Sequence, residues 1–344
     1  MSFFAILERV VLHRHLTAAE AEQAMNLVLE GGATATQLAA FLVALRMKGE
    51  TADELLGFAR AMRGHVVRVE SGIPAGRLLD TCGTGGDGAH TVNVSTLAAL
   101  VAAGAGARVA KHGNRSISSR CGSADVIEGL GVRILTQPAE IGACLRDTGF
   151  AFLYAPALHP AMKHAHPARV ELKLRTVFNY LGPLTNPAGA GVQLVGSPSP
   201  PVAELMAGTL VRLGLERGFV VHGSDGMDEI TTTGETVVYE IKSSGVKKKT
   251  VVPEDFGVRR AAPGQLRLSA PEDNVKVARE TLEGRHGPHR DIVLVNASAA
   301  LVAAGLAEDF RDGVHVAAES VDSGKAMATL ANVIQFTQSL ARPV

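Results

Sequence analysis

Tryptophan is absent and aromatic residues make up only 4% of the chain, which leaves few platforms on which nucleic-acid bases could stack. Cysteine is nearly as scarce. Cys82, Cys121 and Cys144 form an odd set with no CxxC spacing, which excludes a disulfide framework and suggests no thiolate zinc site. Neither sign of charge dominates, since 34 basic residues face 34 acidic ones, and this argues against a bulk nucleic-acid or membrane-surface binder. No charge-free apolar run is long enough to span a bilayer. The opening MSFFAILERVV carries Glu8 and Arg9 and no basic leader, so no signal peptide is expected. What is present is 46% hydrophobic residues in 344, a globular composition with length for about two domains at ~150 residues each. The expectation is a soluble, cytoplasmic protein with neither nucleic acid nor membrane as partner.

The first 65 residues read as helical throughout. Thr17 with Glu20, Thr34 with Gln37, and Thr51 with Glu54 each fit a capping box, in which hydroxyl and acid or amide satisfy the open N–H groups of a first turn. Gly31, Gly32 and Gly49 supply stops between them, and Leu38, Phe41, Leu42 and Leu45 share a face. From about residue 78 short apolar runs alternate with helical stretches. Strands are expected at 77–80, 107–110, 132–135, 150–154, 192–195, 219–222 and 291–295, and helices at 95–103, 138–147, 201–213 and 298–306. Such alternation predicts an α/β layer with a mostly parallel sheet and flanking helices. Residues 236–242 and 246–252 read as an antiparallel hairpin turning at Ser243-Ser244-Gly245, and 167–180 has helical spacing. The chain therefore divides into a small helical domain, 1–71, joined by helices from about 167–190, and a larger α/β domain, 72–344.

Three stretches carry chemistry. The first is DTCGTGGDGAHTVNVST, residues 80–96: a strand end, a glycine loop and a helix start together turn backbone N–H groups toward an anion. The GxGxxG spacing of Gly83 to Gly88 invites a dinucleotide reading, but that fingerprint needs an acid about 20 residues on. No Asp or Glu occurs between Asp87 and Asp125. Arg108, Lys111, His112, Arg115 and Arg120 stand there instead, which suits several phosphate groups. The second stretch is KHGNRSISS, residues 111–119, where cations, hydroxyls and amides coincide as a pyrophosphate requires. Both also read as a plain glycine turn and a basic surface loop. The third is HGSDGMDEI, residues 222–230. It sets Asp225, Asp228 and Glu229 at a strand's C-terminal end, a few hard oxygen ligands of the kind that share Mg²⁺ with substrate phosphates. His159, His164 and His166 have no acid or thiol at ligand spacing for zinc, and no GxSxG elbow is present.

GTGGDG at 83–88, NVST at 93–96, KHGNRSISS at 111–119, GSADV at 122–126, FNYLGPLTNPAG at 178–189, DGMDEI at 225–230, PEDFG at 253–257 and DSGKA at 322–326 together resemble the anthranilate phosphoribosyltransferase family over essentially the whole chain. The resemblance implies transfer of the phosphoribosyl group of 5-phosphoribosyl 1-pyrophosphate (PRPP) to the amine of anthranilate in tryptophan biosynthesis. It also implies a homodimer and Mg²⁺ as required ion. Carried over by motif, it sets PRPP against Gly83, Gly86, Asp87, Thr91, Asn93, Val94, Ser95, Thr96 and Ser123, with Lys111, His112, Gly113, Asn114, Arg115, Ser116, Ile117, Ser118 and Ser119 closing over it. Ser95, Asp228 and Glu229 fall on the Mg²⁺ positions, and Gly83, Asn114 and Arg169 on those that contact anthranilate. Lys111, Asn114 and Arg169 are the implied catalytic residues. Cys82, Cys121 and Met227 depart from the usual pattern. A pyrimidine nucleoside phosphorylase, which uses inorganic phosphate without Mg²⁺, and a PRPP-binding protein without turnover remain as other readings.

Overall fold

The computed structural model describes residues 1–115, 121–270 and 272–340. Helices α1 (Phe3–Val11), α2 (Ala18–Leu29), α3 (Ala35–Lys48) and α4 (Ala52–His65) come first. They are followed by β1 (Leu78–Gly83), α5 (Val94–Gly104), β2 (Arg108–Gly113), α6 (Ser123–Gly129), α7 (Pro138–Thr148) and β3 (Phe150–Tyr154). Then come α8 (Ala155–Leu158), α9 (His166–Leu172), α10 (Phe178–Leu181), β4 (Val192–Gly196), α11 (Pro200–Arg212) and β5 (Arg217–Gly223). The hairpin β6 (Thr236–Lys242) and β7 (Gly245–Val251) leads into α12 (Asp273–Leu282), α13 (Pro288–Ala304), α14 (Phe310–Asp322) and α15 (Lys325–Ser339).

All three capping boxes form: Glu20, Gln37 and Glu54 each return a side-chain oxygen to the N–H of the threonine that caps their helix. Glu54 does more than cap. Fully buried, it accepts from the N–H of Leu16 at 2.9 Å and of Thr51 at 2.9 Å and pairs with buried Lys48 at 2.8 Å. Truncating one member of a buried pair strands the other charge, at a cost of roughly 3–5 kcal/mol. Glu54→Ala will therefore lower unfolding free energy by about that much in a urea titration.

The sheet order is β3-β2-β1-β4-β5-β6-β7. β1 to β5 pair in parallel, and the hairpin adds two antiparallel strands at one edge. The chain runs outward from β1 to β3, then returns to place β4 on the other side of β1. This is a topological switch point, where a crevice opens beyond the strands' C-terminal ends. Gly83 and Gly196 face one another there in register. One sheet face packs with α5, α7 and α12 to α15 around Leu79, Leu194 and Phe219. The other face, through Cys82, Val195, Val220 and Ile241, joins α11, the N-terminal helices and the 165–184 segment.

Two expected strands are helix or loop. Residues 291–295 lie inside α13, which opens at Pro288 and is buried on nearly every side. A short β-branched run cannot by itself distinguish a buried strand from a wholly buried helix. Residues 132–135 form no strand. Arg133 instead donates its N–H to Thr337 Oγ1 at 3.2 Å and its Nε to the Thr337 carbonyl at 3.0 Å, because β3 already holds the sheet edge. The helical stretch at 167–180 is two short helices, broken where Lys173 adopts φ +50°.

Candidate active site

At the switch point the glycine loop after β1 meets the 225–230 turn after β5. Gly85, Gly86 and Gly88 take φ of +68°, +69° and +74°, the left-handed region that favours glycine. That backbone path delivers the Gly85 N–H to Asp228 Oδ2 at 2.7 Å, and Thr84 Oγ1 approaches the same oxygen at 3.4 Å. Glu229 Oε1 accepts from the N–H of Ser95, in the first turn of α5, at 3.1 Å. The sequence predicts these donors as open to an anion; here carboxylates occupy two of them. Asp225, the third acid of the sequence motif, is not part of the centre. Its Oδ2 accepts from the hydroxyls of Thr231 and Thr233, both at 2.6 Å, and builds the turn that carries the other two.

Asp228 and Glu229 have no Lys or Arg within ion-pair distance among the described residues. Burial first, then the neighbouring Asp87 carboxylate, pushes Asp228 up to about 6. Burial and the Asp228 charge push Glu229 well above the carboxylate range. The charges of Lys111 at Glu229 and of Arg175 at Asp228 oppose these shifts without cancelling them, so the site is short of positive charge. Two strong oxygen ligands are too few to cage a metal, and among the described residues no cluster of three or more acids, imidazoles or thiols could hold one. The donor set therefore fits Mg²⁺, which keeps water or takes phosphate oxygens in its remaining positions.

Lys111 lies on β2, 2% exposed, with one hydrogen bond from Nζ to the His112 carbonyl at 3.3 Å. Its charge is felt at Asp80 and Glu229. Asp80 is wholly buried, and desolvation raises it despite the Lys111 charge, the Asn186 amide at 2.8 Å and the His112 N–H at 3.0 Å. His112 Nδ1 faces the Gly182 carbonyl at 3.1 Å and its Nε2 meets His159 Nε2 at 3.2 Å. Burial lowers His112 to about 4 and His159 to about 3, so both rings are neutral at pH 7. A carbonyl only accepts, so His112 carries its proton on Nδ1 and receives the His159 Nε2–H.

Beyond β2, Asn114 N–H donates to Ser123 Oγ, which returns its hydroxyl to the Asn114 carbonyl, both at 3.1 Å. A Cβ at Gly113 would stand 2.5 Å from that hydroxyl. Arg115 pairs with Asp125 and Glu128. Thr91 and Asn93 are braced by Asn274 of α12, whose amide reaches the Thr91 carbonyl and the Asn93 N–H. Val94 is buried at the start of α5, and buried Thr96 has a hydroxyl without a hydrogen-bond partner. Arg169 stands apart in the helical layer, its guanidinium 5.2 Å above the Phe178 ring and without a carboxylate partner among the described residues. Ser116, Ile117, Ser118 and Ser119 lie outside the described residues.

Sequence reasoning singled out neither Asp80, Asn186 nor Asn274 as a site residue, and it weighed His159 only as a zinc ligand. Asp80 directly precedes the glycine loop and Asn186 sits in the Asn-Pro turn, which are usable signals. Asn274 offers none, being a lone amide on an ordinary helix.

Residues 5–66 match the helical bundle domain of the glycosyl transferase family, and residues 75–327 match its a/b domain. The anthranilate phosphoribosyltransferase of Solibacter usitatus is 57% identical over 339 residues, covering 98% of this chain and 100% of that one. Among solved structures, the anthranilate phosphoribosyltransferase of Thermus thermophilus superposes with a TM-score of 0.91 at 42% identity, over 98% of this chain and 100% of that one. The Saccharomyces cerevisiae enzyme, solved in complex with PRPP and Mg, gives 0.88 at 29% identity over 98% of both chains.

Proposed function

The chain belongs to the anthranilate phosphoribosyltransferase family, and from that premise we propose what its own residues contribute to the reaction. The enzyme is a pentosyltransferase of tryptophan biosynthesis that joins the phosphoribosyl group of PRPP to the anthranilate amine and releases pyrophosphate. One observation supports the assignment of roles above the rest: two buried carboxylates with no contact ion pair among the described residues, Asp228 and Glu229, rest on the glycine loop and on the first turn of α5.

In this reading PRPP lies along Gly83, Gly86, Asp87, the 91–96 segment and Ser123, beside Lys111, His112, Gly113, Asn114 and Arg115. Ser95, Asp228 and Glu229 hold Mg²⁺, which when bound neutralises charge on the departing pyrophosphate. The ammonium of Lys111 keeps N–H donors in reserve for phosphate oxygens and adds positive charge where negative charge grows. Asn114 orients the anthranilate amine, and the unpaired guanidinium of Arg169 takes the carboxylate in the planar fork such groups fit. An aromatic amine is already neutral at pH 7, so its lone pair needs no strong general base. Holding the two reactants in line supplies up to ~7–11 kcal/mol. Loss of anthranilate fluorescence with PRPP, with and without Mg²⁺, tests the reading; a decay indifferent to Mg²⁺ refutes the cation site. Arg169→Ala is expected to raise KM for anthranilate roughly 10–100-fold, the worth of a charged hydrogen bond, and to leave KM for PRPP unchanged.

The domain division at 71/72, with helices from 167–190 in the smaller unit, belongs to the same proposal, as does a cytoplasmic location. So does a homodimer. Phe4, Val11 and Leu12 on or beside α1, Met47 on α3, and Val170 and Leu174 on or beside α9 are all at least 47% exposed. α3 packs against both α1 and α9, so these exposed apolar side chains lie on neighbouring helices, where a second copy would cover them. Leu12→Glu is expected to convert the dimer to monomer in sedimentation velocity.

A further inference from the structure

Gly196 lies outside every motif through which the site is read. It ends β4 directly opposite Gly83 at the end of β1, and the two bare α-carbons form a seat for Asp228, which arrives from the turn after β5. A Cβ on Gly83 would stand 2.4 Å from Asp228 Oδ2. A Cβ on Gly196 would stand 1.6 Å from the Asp228 carbonyl oxygen and 2.6 Å from its carbonyl carbon. Gly83 thus clears the carboxylate and Gly196 clears the backbone. Ordinary contact lies near 3.5 Å, so any side chain at 196 would drive the turn outward by roughly 1–2 Å.

The same turn is gripped from behind. Asn296, fully buried in α13, accepts from the Ile230 N–H at 3.0 Å and donates to the Ile230 carbonyl at 2.9 Å. Its amide pairs with both backbone groups of one residue, as a neighbouring strand would, and holds the turn from that side. We propose that Gly196 and Asn296 are positioning residues that set how deep the Asp228 and Glu229 carboxylates sit, and through that depth the affinity for the divalent cation. The proposal rests on the cation-site reading given above. A merely structural role for either residue would lower stability and leave the cation affinity of the folded protein untouched.

Mn²⁺ titrated into the metal-free protein, with bound ion read by electron paramagnetic resonance, separates the two. Wild type and Gly208→Ala are expected to bind alike, since a Cβ on Gly208 meets nothing within 4 Å. Gly196→Ala is expected to bind at least 10-fold more weakly while still unfolding cooperatively, and to need correspondingly more Mg²⁺ for half-maximal turnover with kcat recovered at saturation. Adding Asp228→Glu to Gly196→Ala should restore part of the affinity, because the extra methylene reaches back across the displaced turn; Asp228→Glu alone should weaken it. Wild-type affinity in folded Gly196→Ala overturns the proposal. If Gly196→Ala does not fold, Asn296→Ser decides: weakened binding supports the proposal and unchanged binding overturns it. A wild-type protein that binds no Mn²⁺ overturns the cation site itself, a distinct failure visible in the first titration.

Discussion

Replacing Asp228 with Asn together with Glu229 with Gln is expected to remove Mg²⁺-supported turnover and, in the same protein, to raise its stability without metal. The first effect follows from the loss of both strong oxygen ligands. A bound divalent ion is worth several kcal/mol of charge stabilisation, so turnover should fall by roughly 10³-fold or more. The second follows from burial. Asp228, pushed up to about 6, holds a proton in the folded protein that the unfolded chain has already released between about pH 4 and 6. Stability of the metal-free enzyme therefore falls as pH rises through that window and stays low above it. Glu229 is raised as well and acts in the same direction. The neutral pair carries no such penalty. The gain at pH 7.5 is seen as a higher melting temperature of the metal-free protein. Scanning calorimetry with and without Mg²⁺ checks both halves: wild type should be stabilised by the ion, and the double variant should be indifferent to it. A double variant less stable than metal-free wild type would show that the carboxylates are compensated in a way the geometry does not reveal.

Lys111→Met is expected to lower kcat by roughly 10²–10³-fold, the usual worth of one preorganised donor aimed at developing charge, with KM for anthranilate little changed. Lys111 is buried and spends one hydrogen bond, at 3.3 Å, on the carbonyl of its neighbour, so its remaining donors are open. Methionine keeps the length and apolar character of the stem and removes only the ammonium. The same change should make stability more sensitive to pH. The Lys111 charge is the largest influence opposing the desolvation of Asp80, and it also lowers Glu229. Without it both carboxyls rise further, so the cost of ionising them grows as pH increases. The gap in melting temperature between wild type and Lys111→Met should widen from pH 6 to pH 8. Near-native kcat would mean that the cation at 111 serves folding and not the transition state.

The fold was legible wherever local chemistry settles it. Capping boxes, glycine stops and the alternation of apolar runs are decided within a few residues, and the helices and most strands of the sheet stand where those signals put them. The two failures share a cause. Residues 132–135 and 291–295 are rich in β-branched and leucine residues, and whether such a segment pairs depends on an available strand edge, a property of distant chain. At the site, the glycine loop, the basic stretch and the carboxylate turn carried their own signatures: glycine spacing, a basic run free of acids, and an acidic pair at a strand end.

By itself, the sequence determined the helical unit, the parallel sheet and the family, because each is written in local patterns or in an ordered set of motifs. It also supplied the two carboxylates. Only the tertiary structure decided which acids belong to the centre. Asp225 turns away to tie its own turn, while Asp228 and Glu229 cross to the glycine loop and helix α5. The seat at Gly196, the clamp at Asn296 and the pairing of Asp80 with Asn186 were likewise decided only there. Each joins segments between 32 and 106 residues apart, and a single glycine or asparagine has no local pattern from which its distant partner could be read.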